Sequence, residues 1–167
     1  MCTKLITSLT VGILFFICSN SFTMAAGHPD ACSLLTTAQI SAAVGVTFGA
    51  GESSTEGAVC QWIAAGPSPG HGKTLQVDIM GQIGNMSGVD RFNAAKQKIG
   101  NQSKTPITGV GDEAYYVNDD PKFPVSNFTS INVRKGNTAF NVHLSGMKVA
   151  EVLPILKTLA QQAASKL

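Results

Sequence analysis

The chain has 167 residues, of which 44% are hydrophobic and only 13% charged, and its twelve Lys and Arg against ten Asp and Glu give a net charge of +2. The charges are sparse and scattered, with no Lys/Arg cluster, which argues against nucleic acid or an anionic membrane as a partner.

The first residues carry an export pattern. Lys4 gives a positive start, residues 5–17 are apolar apart from Thr7, Ser8, Thr10 and Gly12, and small residues follow at Ala25, Ala26 and Gly27. An apolar run of about 13 residues is too short for the roughly 20 that span a bilayer, so the pattern is that of a secretory signal peptide. We expect it over residues 1–27. Thr23 with Ala25 would direct cleavage to free Ala26, and Ala25 with Gly27 would free His28. Ile17 before Cys18 departs from the small residue that lipid anchors need. The mature chain is then expected to be secreted or periplasmic, to carry no transmembrane segment, and to form one domain over residues 28–167, long enough for a real core. Loss of Lys4 leaves eleven basic residues against ten acidic, a net charge of about +1.

Of four cysteines, Cys2 and Cys18 leave with the signal, and Cys32 and Cys60 remain. An even pair in an oxidising compartment is expected to form a disulfide, and neither cysteine sits in a C-x-x-C. Closing a loop of about 29 residues is worth about 3.5 kcal/mol in the chain-entropy account.

In chain order, the first helix is marked by Thr36 as N-cap, Gln39 as its capping-box partner, Leu35 and Ile40 as a hydrophobic staple, and Gly45 as its stop. Residues 46–48 are read as a short strand and 49–57 as a loop. Residues 59–65, with Cys60 and Trp62, form a strand, and the glycine- and proline-rich residues 66–72 a loop. Leu75, Val77 and Ile79 alternate with Gln76, Asp78 and Met80, the pattern of a half-buried strand. Ser87 with Asp90 starts a second helix, with Val89, Phe92, Ala95 and Ile99 on one side and Gly100 after it. Residues 113–118 form a strand, 118–124 a loop, and two strands then meet around Gly136-Asn137, a pair suited to a two-residue II′ turn. That turn pairs Lys135 with Thr138. It sets Val133 opposite Phe140, Ile131 opposite Val142 and Thr129 opposite Leu144. The other face pairs Asn132 with Asn141 and Ser130 with His143. A last helix over residues 149–165 carries Val152, Leu156, Leu159 and Ala163 on one stripe, with Pro154 expected in or near its first turn. The expected fold is α+β: an antiparallel sheet with helices on one face, in the order helix, two or three strands, helix, three strands, helix, with one disulfide.

Three segments resemble a family of small exported bacterial proteins and lipoproteins of unknown function. They are Ala31-Cys32-Ser33-Leu34-Leu35-Thr36, Cys60-Gln61-Trp62 and Gly109-Val110-Gly111-Asp112-Glu113-Ala114. The resemblance covers nearly all of the mature chain. It implies a Cys32–Cys60 disulfide and an α+β domain, and it supplies no catalytic residues. Many members look lipid-anchored, and this chain departs from them there. Read physically, the same motifs are fold residues: a helix start, a tryptophan beside the disulfide, and a turn that Gly111 permits and Asp112 caps.

Reactive constellations are thin. His28, His71 and His143 are the only histidines. Cleavage after Gly27 would let the amine and ring of His28 chelate copper, with imidazole a suitable ligand type. A serine, His143 and Asp78 are the parts of a hydrolase, without a G-x-S-x-G elbow to place them. Asp112-Glu113 are adjacent on a strand and point to opposite faces. G-V-G-D lacks the rest of a dinucleotide loop. The expected function is therefore an exported, non-catalytic domain without a cofactor, binding a small ligand or a cell-envelope partner. A hydrolase is the alternative and an N-terminal copper site at His28 the third reading. The candidate binding residues are Asn132, Arg134, Asn141 and His143 on the polar face of the hairpin, with loops 66–72 and 118–124 beside them.

Overall fold

A computed structural model describes residues 29–66, 72–81, 83–98, 103–118 and 129–167. The expected signal segment, His28, His71, Ile99, Gly100 and most of the two candidate loops (67–71 and 119–124) lie outside the described residues.

The elements are α1 (Ala31–Leu34), α2 (Thr37–Val44), β1 (Glu52–Ser54), β2 (Val59–Ile63), β3 (Thr74–Ile79), α3 (Gly88–Lys98), β4 (Ser103–Ile107), β5 (Glu113–Asn118), β6 (Thr129–Lys135), β7 (Thr138–Ser145) and α4 (Val149–Ala164). The strands form one seven-stranded sheet in the order β1-β2-β3-β7-β6-β5-β4, antiparallel at every pairing. No described helix is long and apolar enough to cross a membrane.

Local signals explain the best-formed parts. The Thr36 hydroxyl accepts from Gln39 N, the Gln39 side chain accepts from Thr36 N, and Gly45 ends α2 at φ 78°. Leu35 and Ile40 are both buried, so the staple closes. Ser87 and Asp90 form the matching box at the start of α3, with Asp90 N to Ser87 Oγ at 3.1 Å and Ser87 N to Asp90 Oδ2 at 3.0 Å. The β6–β7 hairpin has the expected register throughout, from Lys135 opposite Thr138 to Thr129 opposite Leu144. Gly136 has φ 56° and Asn137 does not share a positive φ, as a II′ turn requires.

One face of the sheet carries the main core. Cys60, Trp62, Leu75, Val77, Ile131, Val133, Phe140, Val142 and Leu144 pack there with residues of α1, α2 and α4. Cys32 and Cys60 are bonded, with Cα atoms 5.0 Å apart, which fastens α1 to β2.

The expected layout needs three corrections. First, the helices are not confined to one face. Phe92 of α3 packs with Tyr115, Val117 and Ala139, which project opposite to Ala114, Tyr116 and Phe140. The physical reason lies in β5, which is apolar on both faces and therefore has to be covered on both. Second, the element order differs. A four-residue α1 precedes the capped helix, and four strands rather than three stand between α3 and α4. The additional strand β4 is an edge containing Pro106, a residue that speaks against a strand except at an edge. In the first half, the edge strand is Glu52–Ser54, inside the stretch read as loop, while Phe48 makes only an isolated bridge to Ala64. Glu52, Ser53 and Ser54 are all exposed, so no alternation of burial marks them. Third, Pro154 stands within α4 beyond its first turn. It deprives the Ala150 carbonyl of its N–H partner, and Ala150 is exposed, so water can replace it.

Candidate functional site

Strand pairing converts the polar face of the hairpin into two cross-sheet rows. One runs Val59, Asp78, Asn141, Asn132, Tyr115, Pro106. The next runs Glu52, Gln61, Gln76, His143, Ser130, Val117, Lys104. Asn132, Arg134, Asn141 and His143 therefore share one face of two adjacent strands, but they divide among three environments.

Asn132 and Asn141 lie in the first row, on the face where α3 packs against β6 and β7. Asn132 is only 8% exposed. Asn141 hydrogen-bonds the carboxylate of Asp78 opposite it, and the Arg91 guanidinium of α3 lies close enough to act on the same carboxylate. Burial is the larger influence and pushes the Asp78 carboxyl above its ordinary value, against the opposing effects of Asn141 and Arg91. Tyr115 completes the row. Its ring packs on Phe92 with centroids 5.1 Å apart, and burial, reinforced by the charge of Glu113, pushes its hydroxyl up to about 12. That hydroxyl is buried and has no hydrogen-bond partner among the described residues.

Arg134 turns to a different task. Its Nη1 is 3.6 Å from Asp112 Oδ2 and its Nε 3.6 Å from Glu113 Oε2. Glu113 also pairs with Lys96 of α3, and this bond is the main reason its carboxyl sits below the ordinary range. Asp112 accepts from Gly136 N at 2.7 Å and from Lys135 Nζ at 3.2 Å, which lowers its carboxyl in turn. The G-V-G-D-E-A segment is thus a fastening point. Asp112 holds the β6–β7 turn rather than capping its own, Glu113 holds α3, and Gly109 O accepts from Gln161 Nε2 of α4 at 2.9 Å.

His143 belongs to the second row, which is half-buried at Gln61, Gln76, His143 and Ser130. It stands opposite Gln76 and Ser130. The strands joined by residues 67–71 and by residues 119–128, β2 to β3 and β5 to β6, meet those segments at the end of the sheet nearest this row. Asp78, the carboxylate considered with His143 for hydrolysis, is engaged by Asn141 in the neighbouring row.

Sequence reading left Gln61, Gln76, Ser130 and Tyr115 out of the candidate binding set, and weighed Asp78 only as part of a hydrolase. The alternation in β3 already set Gln76 and Asp78 on the outer face. What was lacking was that β3, distant in sequence, is the strand next to β7.

An open pocket of about 330 Å³ lies elsewhere, between the β4–β5 turn and α3, lined by Lys96, Ile107, Val110, Glu113 and Tyr115 among others. Its charged groups are Lys96 and Glu113, engaged with each other, and Asp112, engaged by Lys135 and Gly136 N. Among the described residues no three His, Cys, Asp or Glu side chains converge to hold a metal ion. No protein-family model matches this chain, and no curated protein or solved structure matches it.

The raised Asp78 carboxyl gives a pH-dependent expectation. A carboxyl that holds its proton more tightly when folded contributes most to stability below its unfolded value of 3.8. That contribution is lost as pH rises through the folded value. Asp78→Asn keeps an acceptor for Asn141 and removes the buried charge. Its urea midpoint should exceed that of the parent at pH 7 and match it at pH 3. A lower midpoint at pH 7 would mean that the attraction to Arg91 outweighs burial.

Proposed function

We propose that this chain is an exported, disulfide-stapled, non-catalytic domain that binds a cell-envelope partner through the outer face of its sheet. The observation that carries the reading is the row Gln61, Gln76, His143 and Ser130, half-buried on strands held rigidly from behind by the main core. Amides, a hydroxyl and an imidazole at fixed cross-strand spacing offer donors and acceptors to an extended partner. Small ligands favour compact, concave sites, and this row crosses four adjacent strands, an extent of about 14 Å at the usual strand spacing, which favours a macromolecular partner over a small molecule.

Export is supported by the signal-peptide pattern of residues 1–27 and by the Cys32–Cys60 bond, since disulfides persist in oxidising compartments. The resemblance to small exported bacterial proteins, carried by the segments around Cys32, Cys60 and Gly111, points the same way.

The test is site-specific photo-crosslinking in the exporting cell. A photoreactive residue replaces Gln76 in one strain, Ser130 in a second and Thr158, exposed on α4, in a third. A discrete adduct from the first two positions and none from Thr158 is the expected result. Adducts of equal yield from all three, or none from the sheet, would remove the reading.

A further inference from the structure

The two helical layers are built differently. On the inner face α4 buries Val152, Leu156, Leu159, Ala160 and Ala163 against apolar strand residues. On the outer face α3 buries one large side chain, Phe92; Val89, Arg91, Ala94 and Ala95 are half-buried, and Asp90, Asn93, Lys96 and Gln97 are exposed. The helix is otherwise fastened by polar contacts: Lys96 with Glu113, Lys104 Nζ to Ala95 O at 3.0 Å, and Arg91 Nη1 to Gly81 O at 3.0 Å. The Lys96–Glu113 pair, half exposed at Lys96, exchanges for water at little net change in free energy.

The sheet on this side is polar as well. Asp78 is held among neighbours that burial makes unfavourable for its charge, Asn132 is 8% exposed, and the Tyr115 hydroxyl is buried without a partner among the described residues. A buried donor with no acceptor is a destabilising feature that native interiors mostly avoid. The inner face shows how this chain seats a helix when permanent packing is all that is required, with aliphatic side chains on both sides. The outer face keeps polar groups under α3, and one of them, the Tyr115 hydroxyl, has no partner among the described residues while the helix is in place.

We propose that α3 is a displaceable cover. It lifts from the sheet as a unit while the sheet, α1, α2 and α4 stay folded. The groups released, Asp78, Asn132, Asn141 and the Tyr115 hydroxyl, then join Gln76 and His143 in one continuous binding surface. The joining of the two rows rests on the proposed function; the lifting of α3 does not.

Native-state hydrogen exchange on the unmodified protein in low urea decides the second point. Amides of α3 are expected to exchange through an opening about a hundredfold more populated than global unfolding, with a shallow urea dependence, while α4, β6 and β7 follow the global transition. Merging of the α3 amides with the global transition overturns the cover. Phe92→Ala removes the single large anchor and should raise α3 exchange by a further factor of about a hundred, with the near-ultraviolet signal of Trp62 and the protection of α4 unchanged. Loss of both of those would make α3 an integral layer and overturn the cover.

Photo-crosslinking from Gln76 separates the two ideas. In the Phe92→Ala background the adduct yield should rise severalfold. An unchanged yield overturns the joined surface, and an absence of adducts in both backgrounds overturns the proposed function while the exchange result still stands on its own.

Discussion

Replacing Cys32 and Cys60 together by alanine is expected to lower the unfolding free energy by about 3.5 kcal/mol, the loop-closure value for a crosslink of this span. The bond ties residues 28 positions apart. Its structural leverage is larger than its length suggests. Helix α1 has only four residues, far below the length at which a helix persists alone. Its local support is Asp30, whose carboxylate accepts from Cys32 N at 2.8 Å. Yet Ala31, Leu34 and Leu35 are buried in the main core. Without the bond these residues are held in place by packing and by Lys166 Nζ donating to Ser33 O at 2.9 Å. Urea unfolding checks this: with a slope of about 2 kcal/mol per molar, the midpoint should fall by nearly 2 M. The slope itself should rise, because the uncrosslinked unfolded chain is more expanded. A loss below about 1 kcal/mol would show that α1 is held by the core without help from the bond.

Gly111→Ala is the second large effect. Gly111 has φ +57°, and a Cβ built there would stand 2.6 Å from Arg134 O and 2.7 Å from Val133 Cγ1. The left-handed backbone costs an alanine about 1 kcal/mol, and the contact with Arg134 O is with backbone in the middle of the sheet, which cannot rotate away. Relief requires the β4–β5 turn to withdraw, which breaks Asp112 N to Arg134 O (2.9 Å) and pulls Asp112 from Gly136 N. We expect a loss of about 3 kcal/mol in total. Gly45→Ala is the internal comparison. Gly45 has φ +78°, with nothing within 4 Å of an added Cβ. It should lose only the backbone contribution of about 1 kcal/mol. Equal losses at the two glycines, measured by urea unfolding, would refute the close approach at Gly111.

What could be read from the sequence was local. Thr36 with Gln39, Ser87 with Asp90, and Gly136-Asn137 each specify a backbone geometry within a few residues, and each geometry is present. The hairpin register also placed Asn132, Arg134, Asn141 and His143 on one face. What those residues do there was not local. Arg134 was a candidate binding residue, but Asp112 and Glu113 lie within ion-pair distance of it because β5 pairs with β6. Asn132 was a candidate binding residue as well, but α3 returns to that side of the sheet. Tyr115 and Val117, apolar on the face opposite Ala114 and Tyr116, were the available sign of a second covered face. The short edges β1 and β4 escaped notice because an exposed polar triplet and a proline-bearing strand show no alternation of burial.

The seam at the middle of the sheet has a consequence for how the chain comes to be folded. β1 to β3 can assemble from neighbours in sequence, and so can β4 to β7. The two meanders meet only where β3 pairs with β7, joining Thr74 to Ser145 across 71 positions. Closing so long a loop is the kinetically expensive step, and contacts of this separation slow folding. During synthesis the chain emerges N-terminus first and presents β3 long before β7 arrives. Through that interval Leu75, Val77 and Ile79 form an apolar stripe beside an unpaired strand edge, and the nascent domain is at its most vulnerable to self-association.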